Sequence, residues 1–318
     1  MLEVIRQVLS YSVIICTLEW RQTFDECLDS LSKQKPWAEE IIIVHGGQNV
    51  IEMEMRLRHI FSSTSIRPIT IISKPGLVRQ RNTGIEAATG DIVFFFDDDV
   101  VLSENYIQEV LTVYADDRAR ELGGVQGTAI QLPSTNIFVA IVQRIFLMST
   151  FSGDGRMQRS GYPAFLGPCR RPTEVEVFSG CMMSFRRQVL QDFRFDEALK
   201  EYWYGDDIDI SFRISRKYKL IQIPSATLIH RSSPYEGARR RNLARRKRAN
   251  RLYLFRKHLN PGAFDWICYA WAELGELLYS LALMVAGRGS DQFLGMVGGY
   301  RDLIVSKGNH PGANELNR

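Results

Sequence analysis

An α/β fold built on a mostly parallel sheet is what this chain predicts, and three observations carry the expectation. Short β-branched runs alternate with amphipathic helical stripes four times in the first hundred residues, the pattern of strands covered by crossover helices. The fourth run, Ile92, Val93, Phe94, Phe95, Phe96, ends in Asp97, Asp98 and Asp99, so a buried strand would deliver its charges at the carboxyl edge, where open α/β sheets take their ligands. The composition, 45% hydrophobic and 24% charged over 318 residues, is that of a globular chain able to bury a large core.

The elements follow in order. Residues 12–17 are a β-branched first strand, and Phe24, Cys27, Leu28 and Leu31 mark one face of a helix, repeating at i, i+3, i+4 and i+7. A second strand spans 40–44, ending at His45, Gly46 and Gly47; Met53, Leu57, Ile60 and Phe61 suggest a second helix, and 69–73 a third strand. A turn at Lys74, Pro75 and Gly76 precedes a helix over 77–88 and then the acidic strand. Beyond it, 104–114 reads as helix, 124–131 as strand, 137–148 as a buried or interfacial helix, and 152–172 as a long Gly-, Pro- and Arg-rich loop. Two short strands, 174–178 and 181–185, are joined through Ser179 and Gly180, where a missing side chain would let a ligand approach. Gly205, Asp206, Asp207, Ile208 and Asp209 open a helix whose first-turn acids suit its dipole, followed by closing strands at 220–223 and 227–230. Arg241, Arg245, Arg248 and Arg251 recur at helical spacing, and residues 266–285 carry an apolar, tryptophan-bearing helix pair or bend. The division expected is a nucleotide-binding α/β half at 1–115, a second half of the same domain at 116–232 and a basic, amphipathic helical extension at 233–318.

Composition narrows the function. Five scattered cysteines without a CxxC pair point away from a disulfide framework and from zinc. The amino terminus has no secretion-type apolar core, and the late run 277–286 is short of the roughly 20 residues that span a bilayer; a cytoplasmic enzyme is expected. Between Arg231 and Lys257 stand eleven Lys or Arg against one acid, Glu236, leaving the rest of the chain at −6, so attraction to anionic surfaces is concentrated in one segment.

Side chains alternate along a strand, so Asp97 and Asp99 share a face while Asp98 turns away. Two carboxylates on one side suit Mg²⁺ or Mn²⁺, which also takes oxygens from substrate phosphates. A solvated acidic turn accounts for the same residues.

The chain resembles the family-two glycosyltransferases. The likeness rests on the opening strand Val13 to Thr17, on Arg79, Gln80, Arg81, Asn82, Thr83 and Gly84, and on Phe96 to Asp99. It continues with Phe178, Ser179 and Gly180 before Arg186 and Arg187; with Phe195, Asp196 and Glu197; and with Gly205 to Asp209, covering residues 10–232. The resemblance implies a GT-A, Rossmann-like mixed sheet with helices on both faces and inverting transfer from a nucleoside-diphospho-sugar. It also implies that Asp97 and Asp99 hold the metal, with His230 a further ligand, and that Asp207 is the base. Thr17, Glu19, Arg79, Arg81 and Asn82 would surround the nucleotide, joined by His45, Asp98 and Gly180. Asp206, with Trp203 and Tyr204 as a ring platform, would meet a glycan or lipid-linked saccharide acceptor. Two positions depart: His45 stands where many relatives carry a base-binding aspartate, so no uridine preference is implied, and Asp206 replaces the commoner glutamate.

Dull roles compete for several of these residues. Asp206 would serve as a helix cap, Asp209 as a first-turn charge, and Arg186 with Arg187 as a solvated helix start. Tryptophans beside arginines suit an anionic membrane surface; the same helices would equally pack on the catalytic domain or join a homo-oligomer. Nucleic acid is not an expected partner, because no RNA-binding motif surrounds the arginines. A nucleotidyltransferase would need a glycine-rich, basic amino-terminal loop that is missing here.

Overall fold

The computed structural model describes residues 9–47, 50–130, 137–149, 153–199, 204–231 and 237–305. Strands β1 (Tyr11–Thr17), β2 (Glu40–His45), β3 (Arg67–Ile72) and β4 (Ile92–Phe96) are linked by helices α1 (Gln22–Ser32), α2 (Val50–Ile60) and α3 (Leu77–Ala87). Then come β5 (Val100–Leu102), α4 (Tyr106–Asp116), β6 (Leu122–Ala129), α5 (Ile137–Ile145) and a small hairpin of β7 (Arg156–Met157) and β8 (Pro163–Ala164). The catalytic half closes with β9 (Thr173–Val175), β10 (Met182–Arg186), α6 (Arg187–Asp192), a 3₁₀ turn (Glu197–Leu199), α7 (Asp206–Ser215) and β11 (Lys219–His230). Three helices follow, α8 (Gly237–Leu259), α9 (Ala263–Val285) and α10 (Ser290–Val305).

One mixed sheet of nine strands runs β3, β2, β1, β4, β10, β6, β11, β5, with β9 on the side of β11. β3, β2, β1 and β4 are parallel neighbours, as the crossover helices require. β10 lies antiparallel between β4 and β6, so a single sheet passes through both halves.

The period of two decides which residues meet which helices. Val13, Ile15, Phe94 and Phe96 pack with α1, α2 and α4, whereas Ile14, Val93 and Phe95 pack with α3, α6 and α7 on the opposite face. Both faces are covered, which explains why the strands are apolar throughout.

Five expectations are corrected. The strand expected at 174–178 ends at Val175 and pairs β11, while the one expected at 181–185 is β10, between β4 and β6. The closing strands form one strand whose register shifts between Gln222 and Thr227, where Pro224 can give no ladder hydrogen bond. The carboxy-terminal helix pair or bend is the single 23-residue α9, followed by α10, which the sequence reading passed over. The expectation that no late apolar run is long enough for a bilayer missed α9's amino-terminal turns; by length and composition alone it qualifies. Arg186 is no solvated helix start either, since its guanidinium donates to Asp117 at 2.8 Å and to the Leu122 and Tyr114 carbonyls.

Candidate active site

The parallel strands place Thr17, His45 and Asp97 at one carboxyl edge. From there the β4 alternation continues into the acidic run. Asp98 turns to the β1 side and accepts from Thr17 Oγ1 at 2.6 Å. Asp97 meets Arg81 of α3, and Asp99 meets His230 of β11. Register brings the third member: β11 pairs β5 with His230 opposite Val100, setting His230 Nε2 2.9 Å from Asp99 Oδ1 and 3.9 Å from Asp97 Oδ2. The three possible ligand atoms lie within 4.8 Å of one another. Two carboxylates and one imidazole form a donor set that fits a divalent ion of the Mn²⁺ type.

Arg81 joins this cluster to the second acidic pair. It extends from the buried face of α3, beside Val78 and Ile85, and is almost fully enclosed. Its NH1 meets Asp206 Oδ2 at 2.5 Å, and its NH2 meets the Gly180 carbonyl at 2.9 Å and Asp97 Oδ1 at 3.3 Å. Asp206 is not the helix cap, a position that falls to Gly205; its carboxylate is spent on Arg81.

Asp207 is held by backbone donors instead. Gly180 N–H donates to its Oδ2 and Ile208 N–H to its Oδ1, each at 2.9 Å. A Cβ at position 180 would lie 3.3 Å from both Asp207 Oδ2 and Arg81 NH2, so the missing side chain admits these groups. The helix opens at Gly205, whose φ of 102° is left-handed backbone that glycine adopts at little cost. Burial, and then the neighbouring Asp206 charge, push the Asp207 carboxyl up to about 7. Burial, reinforced by Asp97 and Asp99 against the Thr17 hydrogen bond, takes Asp98 up to about 6. The hydrogen bond to Asp99, with a second to Cys181, raises His230 to about 11, so the imidazole is cationic between its carboxylates.

Other expected residues lie apart from this centre. Arg79 is on the outer side of α3, 3.9 Å from Glu197. Glu19 is exposed and pairs with Arg21. Asn82 exchanges two hydrogen bonds with the Phe195 backbone, at 3.0 and 2.9 Å, latching α3 to the segment before α7. His45 is buried, and its Nδ1 has no partner among the described residues. Tyr204 packs with Val177, Ile208 and Phe212, and its carbonyl accepts from Asn250 of α8. Trp203 lies outside the described residues.

Sequence reasoning missed the role of Asp209. It is fully buried and pairs with Arg213 of its own helix and with Lys257 and His258 of α8, at 2.7, 2.6 and 3.1 Å, fastening the helix of Asp207 to the extension. The signal was present in Ile208, Ile210, Phe212 and Ile214, which bury most of the helix surface around Asp209.

A nine-stranded mixed sheet with an acidic edge at the tip of β4 defines the GT-A class of nucleotide-sugar transferase fold. The chain belongs to glycosyl transferase family 2, whose family model matches residues 12–194, and it is a glycosyltransferase. It is 23% identical over 231 residues to the uncharacterized glycosyltransferase YwdF of Bacillus subtilis strain 168, across 70% of this chain and 74% of that one. Solved structures with a similar fold include GalNAc-T7 with UDP, GalNAc and Mn²⁺, at TM-score 0.55 and 14% identity. That likeness covers 87% of this chain but spans 58% of the GalNAc-T7 chain. The mannosyltransferase PcManGT from Pyrobaculum calidifontis, in complex with GDP-Man and Mn²⁺, also has TM-score 0.55, at 18% identity across 97% of this chain and 79% of that one.

Proposed function

We propose that this glycosyltransferase moves a sugar from a nucleoside-diphospho-sugar, with inversion at the anomeric carbon, to a hydroxyl of a glycan or lipid-linked saccharide. The observation that carries the proposal is the division of labour across Arg81, with an open Asp97, Asp99 and His230 cluster on one side and the lone, proton-affine Asp207 on the other.

Asp97, Asp99 and His230 would hold Mg²⁺ or Mn²⁺, which supplies Lewis-acid neutralisation of the donor diphosphate. The two similar folds described with Mn²⁺ and a nucleotide or nucleotide-sugar support that choice of ion and donor. As a ligand His230 would serve in its neutral form, through Nε2. Thr17 and buried His45 border the edge at which the nucleotide would lie. Asp207, aligned by two backbone N–H groups, takes the acceptor proton as the new bond forms, and a single base opposite the leaving group gives inversion. Arg81 holds Asp206 in place beside Asp207, whose carboxyl is raised by burial and then by Asp206, against the opposing charge of Arg81 itself.

The test is Asp207→Asn, assayed for nucleoside diphosphate release with and without acceptor and for donor binding by thermal shift with Mn²⁺. Transfer should collapse while donor binding persists; transfer at the parent rate defeats the proposal. An acceptor carried at a membrane is favoured by the exposed apolar face of the carboxy-terminal helices.

A further inference from the structure

Helix α9 is inside out. Every exposed residue along it is Ala, Ile, Leu, Val, Phe or Trp. Glu273 and Glu276, its acids after the first turn, are turned inward and buried. They meet Arg248 at 2.8 and 2.7 Å, and Glu273 also pairs with buried Arg251. A helix facing water distributes its residues the other way; charges inward and apolar groups outward is how a helix meets lipid.

The outward residues Ile267, Trp271, Leu274, Leu278, Leu281 and Val285 form a continuous stripe, from 37% to 80% exposed. Helix α5 widens it. Trp271 donates its indole N–H to the Ile145 carbonyl at 2.8 Å and stacks on Phe146, while Ile137, Ile141 and Ile145 remain exposed. Cations stand at both ends: Arg256 over Trp266, Arg159 beside Phe264 and 3.3 Å from Asp265, and exposed Arg288 beyond the helix.

Spacings of four and three along the stripe also match a coiled-coil seam. Such a seam carries charges on its flanks to set partner and register, and the exposed flanks here, Ala263, Ala270 and Ala282, carry none. Nor does α9 stand free to cross a bilayer, because its inner side is held along its length, from Tyr269 on Phe255 to Ser280 on Met296.

We infer that α9, flanked by α5, lies flat in the interfacial layer of an anionic membrane, with its apolar stripe among the acyl chains and its terminal arginines on lipid phosphates. This rests on the proposed function only for the acceptor, which would then be presented by the same leaflet. Docking itself needs neither donor, metal nor acceptor.

The full chain should float with vesicles of phosphatidylcholine and phosphatidylglycerol, and acyl-brominated lipid should quench its fluorescence less in Trp271→Phe. The triple variant Ile267→Ser/Leu274→Ser/Leu278→Ser changes only exposed side chains and should lose binding by more than about tenfold. Its Mn²⁺-dependent thermal shift with donor should be kept. Three outcomes overturn the inference: a parent chain that stays in the soluble fraction at low salt, a triple variant that floats like the parent, or a parent that sediments as a dimer dispersed by the triple change and binds no vesicle. Failure of the proposed chemistry would leave flotation intact, so the two readings fail separately.

Discussion

The sheet edge and the helical cap use the same side chains to opposite ends. At the edge, Asp97, Asp99 and His230 remain 25% to 35% exposed at their side chains, held close by one another and by Arg81. In the cap, Arg248 and Arg251 are 1% and 0% exposed, and their charge is saturated by Glu273 and Glu276. Part-exposed charges keep the capacity to meet an incoming ion, whereas saturated ones give cohesion and recruit nothing. The basic stretch that looked like one anion-attracting surface therefore divides: Arg245 pairs with Asp302, Lys257 with Asp196 and Asp209, and Arg231 with Glu26. Exposed Arg256 and Arg288 stand at the borders of the apolar stripe.

That contrast predicts that edge substitutions cost turnover and cap substitutions cost stability. The largest effect is at Asp207. Asp207→Asn keeps both backbone contacts in reach but cannot take a proton, so kcat should fall by about 10³-fold or more with Tm little changed. Asp97→Ala/Asp99→Ala should fall comparably and, unlike Asp207→Asn, lose the Mn²⁺-dependent thermal shift with donor. A large Tm loss in either variant would mean that the edge too is structural.

Next comes the cap. Glu273→Gln leaves Arg248 and Arg251 buried and under-compensated, a loss of about 3–5 kcal/mol, or roughly 5–7 °C in Tm. Activity per folded molecule at 25 °C should hold within about twofold. Replacing both partners, as Arg251→Met/Glu273→Leu, should be milder than the single change, because no charge is stranded; calorimetry of the set reads the coupling directly.

The parallel half of the fold was legible because every element there obeys one period. Phe94 and Phe96 against Val93 and Phe95 already separate the two faces, and the same alternation places Asp98 on Thr17 and Asp97 beside Asp99. What stayed hidden depended on pairings between distant segments. β10 enters between β4 and β6 rather than beside β9, and nothing local in Met182 to Phe185 says so. Arg81 looked like a nucleotide contact because arginine beside a phosphate site is common. Its position in the stripe Val78, Arg81, Ile85 was the better clue, since a cation on a helix's buried face needs a carboxylate from elsewhere. Glu273 and Glu276, in line with Cys268, Tyr269 and Ala272, carried the same message for the cap.

A smaller effect follows from pH. Because the buried Asp207 carboxyl is held up to about 7, only its ionised fraction can act as base. kcat/KM should therefore fall about tenfold per unit as pH drops below that value and level off above it. Asp209, held well below the ordinary range by its His258 hydrogen bond with Arg213 and Lys257, behaves oppositely. Its stabilisation is present above the unfolded carboxylate range and is lost as pH falls through its lowered folded value. A kcat/KM profile flat from pH 5 to 9, with Tm constant over the same interval, would remove Asp207 as the base without touching the cap.

The smallest effect separates two placements of one arginine. The family pattern puts Arg79 near the nucleotide; the fold puts it on the outer side of α3, 40% exposed and 3.9 Å from Glu197. An exposed pair of that length contributes less than about 1 kcal/mol. Arg79→Ala should accordingly leave donor KM within about twofold and Tm within a few degrees, whereas Arg81→Ala, which strands Asp206 and loosens Asp97, should damage both. A tenfold rise in donor KM for Arg79→Ala would mean that α3 turns toward the diphosphate when donor binds, and the edge would then draw on a cation that rests on the surface without donor.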